Sequence, residues 1–495
     1  MPLIPLKIPP GVYRVGTDYE GSNRWRDANL IRWHQGSMRP VGGWREKADA
    51  SSLITAAPRA MHTWIDNGAV SRSVIASCNE LVYVAPGGTS NDITPSGFTT
   101  GNVNAEVNYA FGGGFYGSGL YGVRRSGTGT FQECDTWALD NWGEYLVGCC
   151  TSDGKLYEWQ NDPAVIAAQI SNSPTSCKGL IVTEERFLFA LQAGGNPRKI
   201  SWSDREDNTT WTAAATNEAG DIELQTNGEI MCAARMRGRT IIVTNTDAHI
   251  ATYQGPPYVY GFERVGTACG AISRKALVAI DEGAFWMGSE AFYMFDGSVA
   301  RQMSCDVQDY IFSNANKNQA SKAFAVHNSE YGEIWWFYPS QAATECDSYV
   351  VYDYLENHWE IGQIDRTCGA DQGVFSDPLW VDATGVIYEH EIHGIGHGSY
   401  TPYAETGPIS LGNGDVIMKV NKLIPDEDTQ GEVQVKFKTR FHPNDTEREY
   451  GAFTMDNPTS VRFSGRQIRM RVEATGNEDF RVGIMRVNAE PGGSR

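Results

Sequence analysis

The chain has 495 residues, with 41 Lys and Arg against 60 Asp and Glu, a net charge of −19, and 41% hydrophobic and 20% charged residues. This is the composition of a folded soluble protein with room for two to four domains. No apolar run approaches the roughly 20 residues that a spanning helix needs, and ten cysteines with no CxxC pair are too sparse for a disulfide scaffold, so they read as reduced, structural thiols.

Charge is spread unevenly. Residues 1–48 hold 8 basic and 4 acidic side chains, residues 49–404 hold 20 and 42, and residues 405–495 hold 13 and 14. The acidity therefore sits in the middle of the chain. That argues against a nucleic-acid clamp, because neutralising phosphates takes Lys and Arg. It leaves open a negative wall past which DNA slides without sticking.

The opening MPLIPLKIPPG has no long apolar stretch and is not expected to be a secretory signal. Residues 1–48 are rich in Pro, Arg and Trp and read as an arm, with a short strand possible over Trp25 to Trp33. From residue 49 to 395 a hairpin phrase keeps returning: a few apolar residues, a polar turn, then a second short strand ending near an aromatic. Copies include SVIASCNELVYVAPGG, EYLVGCCTSDGKLYEW, RTIIVTNTDAHIATYQG and GAFWMGSEAFYMFDG. The reference aromatics Tyr83, Tyr157, Trp202, Tyr253, Tyr293, Tyr352 and Tyr388 are separated by 74, 45, 51, 40, 59 and 36 residues. An all-β unit of roughly 40–50 residues is the period of a β-propeller blade. Seven hairpins are counted, and allowing for one shared in ring closure, six blades are favoured and seven possible.

A Gly-rich insertion, NYAFGGGFYGSGLYGVRRSGTGT, over residues 108–130 explains the 74-residue gap and reads as a flexible loop with aromatic handles. Two segments read as helix: DPAVIAAQI after Asn161, and Asp306 to His327, with Asp306 as cap and Val307, Tyr310 and Ile311 on one face. Over residues 396–495 the pattern changes to alternation. Val433, Val435, Phe437 and Phe441 fall on one face, then Ile468, Met470 and Val472, then Val482, Ile484 and Val487. This predicts a C-terminal β-sandwich with a basic outer face.

Chemistry-bearing clusters are few. His390, His393 and His397, flanked by Glu389 and Glu391, could hold a divalent ion, but their spacing matches no zinc template and a polar hinge is the preferred reading. SWSDREDNTTW has only a superficial likeness to a sialidase box and reads as a turn capped by Asp204 and Asp207. There is no phosphate loop and no GxSxG elbow. No catalytic residue, cofactor or enzymatic activity is expected. A carbohydrate-binding or glycosidase-like propeller is the alternative, and it would require paired carboxylates across a cleft.

The order of pieces resembles the tail-hub or nozzle proteins of short-tailed bacteriophages, the packaged-DNA stabilisation family. The likeness is carried by IPPGVYRVGTDYEGSNRWRDANLIRWHQGSMRPVGGW, by GLIVTEERFLFALQAGGNPRKISWSDREDNTTW, by RMRGRTIIVTNTDAHIATYQG and by FSGRQIRMRVEATGNEDFRVGIMRVNAEPGG. It implies a virion tail protein, assembled in the host cytoplasm and forming a homohexameric ring below the portal and adaptor. Such a ring closes the head, meets a tail fibre or tailspike, and conducts double-stranded DNA at ejection. On that reading Trp25, Trp33, Trp44, Arg469 and Arg471 are candidates for assembly contacts. Phe111, Phe115, Tyr116 and Tyr121 are candidates for a gate across the pore, and the lumen is acidic enough that DNA passes without tight binding.

Overall fold

The computed structural model describes residues 3–107, 131–281, 283–411, 416–427, 429–442, 445–455, 457–477 and 479–492. Strands dominate it, and their grouping follows the hairpin phrase. Six antiparallel sheets of four consecutive strands come one after another, with innermost strands Ala60–Ile65, Trp137–Trp142, Gly179–Val182, Ile230–Met236, Leu277–Ile280 and Phe324–Asn328. A seventh sheet takes Cys368–Ala370, Leu379–Val381 and Val386–Ile392 from late in the chain. Its outermost strand is Gly43–Asp49, from the beginning. Each innermost strand packs against the next, and Cys368–Ala370 packs against Ala60–Ile65, so the ring closes. The fold is a β-propeller of seven blades, the larger of the two expected counts rather than the favoured six.

Blade stacking explains the repeated phrase. The second strand of each blade lies between neighbouring sheets and is covered on both faces, so it reads as a continuous apolar run. Glu333–Tyr338 and Gly283–Met287 are buried at every position. Outermost strands lose that cover and turn polar, as in Ser90–Asp92 and Ala300–Gln302. Nine of the ten cysteines are buried and all are free. Cys149 and Cys150 lie in one such covered strand, Tyr145–Cys150.

The two expected helices are corrected. Among the described residues only Gln308–Asn314 is α-helical, followed by a 3-10 turn at Lys317–Lys322. Residues 324–327 instead begin the sixth blade, where Phe324 and Val326 alternate into the core. The cap is not Asp306 but Val307, with no side-chain bond. The Ala-rich segment after Asn161 is a turn leading to Ala168–Gln169, the outermost strand of the second blade, and it leaves Val165 and Ile166 exposed.

Beyond the propeller two further sheets face one another. One has the order Leu3–Leu6, Met485–Pro491, Met418–Ile424, Thr459–Gly465. The other runs Trp25–Asn29, Tyr403–Thr406, Gln467–Ala474, Val433–Arg440, Arg448–Thr454. Val420, Leu423, Val461, Phe463 and Val487 meet Val435, Phe437, Ile468, Met470 and Val472 in the sandwich core. Val482 and Val487 are inward as expected. Ile484 is exposed, because it precedes the strand at Met485 instead of lying in it. The first 48 residues are thus not a free arm: they supply two strands to the sandwich and one to the propeller. A single apolar core runs from the sandwich through Trp25, Trp33 and Ile311 to Phe292, Trp336 and Trp359 of the blades.

Candidate functional site

The histidine cluster is taken apart by the fold. His390 lies between Trp380 and Trp44, with ring centroids 4.1 and 5.3 Å away, and accepts a hydrogen bond from Arg366 Nε at 2.9 Å. Burial, then the Arg366 charge, holds its pKa well below the usual imidazole value, so the ring is neutral. His397 Nε2 meets the Val41 carbonyl at 2.7 Å, and His393 turns outward to Asp479 at 2.7 Å. Among the described residues no group of three His, Cys, Asp or Glu is placed to hold a metal ion. His390 and His397 instead pack on Trp44, at the start of the seventh blade's outermost strand. Beside them, Glu391 and Glu333 take both edges of the buried Arg32 guanidinium, with Nη2 at 2.7 Å from Glu391 and 2.8 Å from Glu333.

The expected assembly contacts are engaged within the chain. Trp25 and Trp33 are 5% and 3% exposed, with ring centroids 5.7 Å apart, and they join the sandwich to the propeller, so they are not presented to a neighbour. Trp44 is half-buried against His390 and His397. Arg469 pairs with Asp18 and with Glu447 at 2.8 Å. Arg471 pairs with Glu473 at 2.9 Å and lies 3.5 Å over the Tyr403 ring. Phe111, Phe115, Tyr116 and Tyr121 lie outside the described residues.

The two ends of that insertion are described, and they converge on the central channel. Glu106–Val107 pairs with Phe131–Gln132. Gln319, just before the sixth blade, acts as a surrogate strand: its Oε1 accepts from the Ala105 N–H at 3.1 Å and its Nε2 donates to the Ala105 carbonyl at 3.0 Å. Lys322 Nζ donates to Asn104 Oδ1 at 2.6 Å and to Glu345 at 2.7 Å. Arg59 forks onto the same Glu345, at 2.8 Å through Nη2. Burial raises the Glu345 pKa, but the two cations outweigh it and hold the carboxyl below the usual range. This cluster fastens the stem at the end of the channel where the innermost strands begin.

Behind it the innermost strands enclose a cavity of about 250 Å³, lined by residues of all seven blades. Its charged lining is Arg59, Lys178, Arg274, Lys275 and Asp140. Most of these are committed. Arg59 belongs to Glu345, and Lys178 donates to the Thr151 carbonyl at 2.6 Å. Arg274 donates to the Ile230 carbonyl at 3.0 Å and has Glu133 and Glu229 each at 3.9 Å. Asp140 is taken by Arg235 at 2.8 Å and by the Val182 N–H at 2.8 Å. At the far end this ion pair separates the cavity from an open bowl that contains Arg186, Arg235 and Arg237. Sequence reasoning missed the cavity. Its residues sit at the starts of seven separate strands, and no local spacing brings them together.

Neither a protein-family model nor a curated protein matches the chain. Among solved structures, virginiamycin B lyase from Staphylococcus aureus is similar over 70% of this chain and 98% of its own, at 7% identity and a TM-score of 0.42. YCF48 bound to D1 peptide is similar over 71% and 97%, at 8% identity and 0.40. PorZ of Porphyromonas gingivalis is similar over 77% and 44%, at 8% identity and 0.36. The chain's class is given by its own seven sheets: a seven-bladed β-propeller carrying a β-sandwich.

Proposed function

We propose that the protein is a structural subunit of a short-tailed phage tail, a hub or nozzle that assembles as a ring of six below the portal and adaptor. The observation that supports this reading best is the way the modules are joined. The arm, propeller and sandwich follow in the order that the resemblance implies, and residues 3–49 thread both bodies while one apolar core runs between them. A conduit subunit must transmit force without hinging, and a shared core with a doubly anchored N-terminus suits that task. The reading is non-catalytic.

In this reading DNA passes between copies, since a cavity of about 250 Å³ is far too small for a duplex. Six copies at −19 carry about −114, and such a wall conducts DNA without counterion-release binding. With Trp25 and Trp33 buried, contacts to neighbouring copies, adaptor and fibre fall to other exposed groups. Tyr258 is the foremost of these, 78% exposed at the tip of the long hairpin formed by Asp247–Gly255 and Val259–Thr267.

Mass spectrometry and electron microscopy of purified particles test the proposal. Six copies of this chain in a ring at the tail are expected, and a particle that lacks the chain overturns it. The purified protein should also show no sub-micromolar affinity for duplex DNA at physiological salt.

A further inference from the structure

We propose that the central cavity of the propeller is a binding site for a small oxyanion, held by the ammonium group of Lys275. This inference rests on the cavity alone and is independent of the tail assignment.

The argument starts from an unbalanced charge. Lys275 lines the cavity at the entry to the fifth blade, one residue after Arg274. Its backbone is fixed, with its carbonyl accepting from the Ala325 N–H at 2.8 Å. Its Nζ, by contrast, has no hydrogen bond or ion pair among the described residues. The groups that face it do not neutralise it. Asp140 lies on the cavity wall but is already held by Arg235 and by two backbone N–H groups, those of Val182 and Asn141. Cys232 and Cys368 are the other near groups, and burial pushes both thiols up to about 12, so they are uncharged at neutral pH. His62 is close as well, and burial lowers its pKa, so it stays neutral and neither offsets nor adds to the charge of Lys275. Lys178 adds positive charge to the same wall, whereas the charge of Arg274 is offset by Glu133 and Glu229, each 3.9 Å away.

Lys275 is half-buried, and an ammonium partly withdrawn from water without a partner is under-solvated. The effect is visible in Lys275 itself, whose pKa is pushed down to about 8 by burial. At pH 7 it is still charged in a ratio of about ten to one. A protein with net charge −19 that gathers cations around an internal cavity offers an anion a favourable place that its surface does not. Charge-assisted bonds from one free ammonium, with the Lys178 charge alongside, suit a compact dianion such as a phosphate-type or a dicarboxylate group.

Sulfate and succinate are the probes, since neither titrates between pH 7 and 9. Each is added at low millimolar concentration to the full chain, with chloride matching the ionic strength, and binding is followed by calorimetry. At least one of them is expected to bind at pH 7 with a one-to-one ratio. Sulfate alone points to a tetrahedral phosphate-type ligand, and succinate alone to a dicarboxylate. Lys275→Met should weaken binding at least tenfold, Lys275→Arg should keep most of it, and Arg237→Met in the outer bowl should leave it unchanged. If Lys275→Met does not fold, the wild-type pH profile decides: affinity should be about tenfold weaker at pH 9 than at pH 7, because the ammonium is lost across that range. Absence of binding by both probes, binding unchanged in Lys275→Met, or a flat pH profile overturns the proposal and leaves a water-filled channel.

Discussion

Arg32, in the strand Ile31–His34, grips Glu391, in the strand Val386–Ile392, through two bonds of 2.7 and 3.0 Å. The two residues are 359 positions apart in sequence. The same guanidinium holds Glu333 of the sixth blade and stacks 3.5 Å over the Tyr331 ring. One buried cation therefore ties the N-terminal hairpin to the last two blades, next to the point where the propeller closes.

Removing that cation should be severe. Arg32→Met strands two buried carboxylates, and breaking such a network costs about 3–5 kcal/mol. The sign of the pH dependence follows. Burial already pushes Glu333 up to about 7 against the pull of Arg32. Without Arg32 the folded protein binds protons that the unfolded chain releases, so stability falls as pH rises. Urea denaturation should show a larger deficit at pH 8 than at pH 5, and an equal deficit at both would contradict the account.

The three histidines should separate sharply. His390→Ala empties a slot between two Trp rings and leaves Arg366 Nε without its acceptor, a loss of about 2–4 kcal/mol. His393→Ala, on the surface, should change stability by no more than about 0.5 kcal/mol. His390 is held neutral in the fold, so its contribution is present above the unfolded pKa and is lost as pH falls through about 6.5. The wild type should lose stability between pH 7.5 and 5, and His390→Phe should flatten that slope. Thermal melts across this range check both.

Deleting residues 1–49 should not yield a propeller with a missing arm. It removes the outermost strand of the seventh blade and bares the edge of Val386–Ile392, along with two strands of the sandwich. An exposed edge of that kind pairs with other chains. Aggregation and dye binding to exposed apolar surface are expected. A soluble, cooperatively melting product would show that the N-terminal segment is dispensable for closure.

Gln319→Leu should loosen the stem of the Gly-rich insertion without unfolding the blades. It leaves the Ala105 N–H and carbonyl unpaired inside the protein, at about 1–3 kcal/mol for each buried group. Hydrogen exchange at Ala105 should accelerate while the amides of Glu333–Tyr338 stay protected. Equal acceleration at both would mean that the bond supports the whole propeller.

Tyr258→Ser should leave the melting temperature unchanged and lower incorporation into particles. Normal incorporation would remove the hairpin tip from the assembly surface.

The sequence by itself determined the repeating hairpin and the alternation in the C-terminal sheets. Both are local consequences of burial: a strand covered on two faces reads as a continuous apolar run, as residues 334–337 do, and a strand covered on one face must alternate, as Val433–Arg440 does. Tertiary structure decided what depended on residues far apart in the chain. The seventh blade needed Gly43–Asp49, which reads locally as part of an arm, and the Asp306 segment gave up half its helical pattern because Phe324 and Val326 were needed in the sixth blade. Three histidines within eight residues were sent to three environments because His390 lies in the strand Val386–Ile392 while His393 and His397 follow after the chain has left the sheet. Lys275 was one lysine among many until seven strand ends met around it, and only their meeting gave its charge a cavity and no partner.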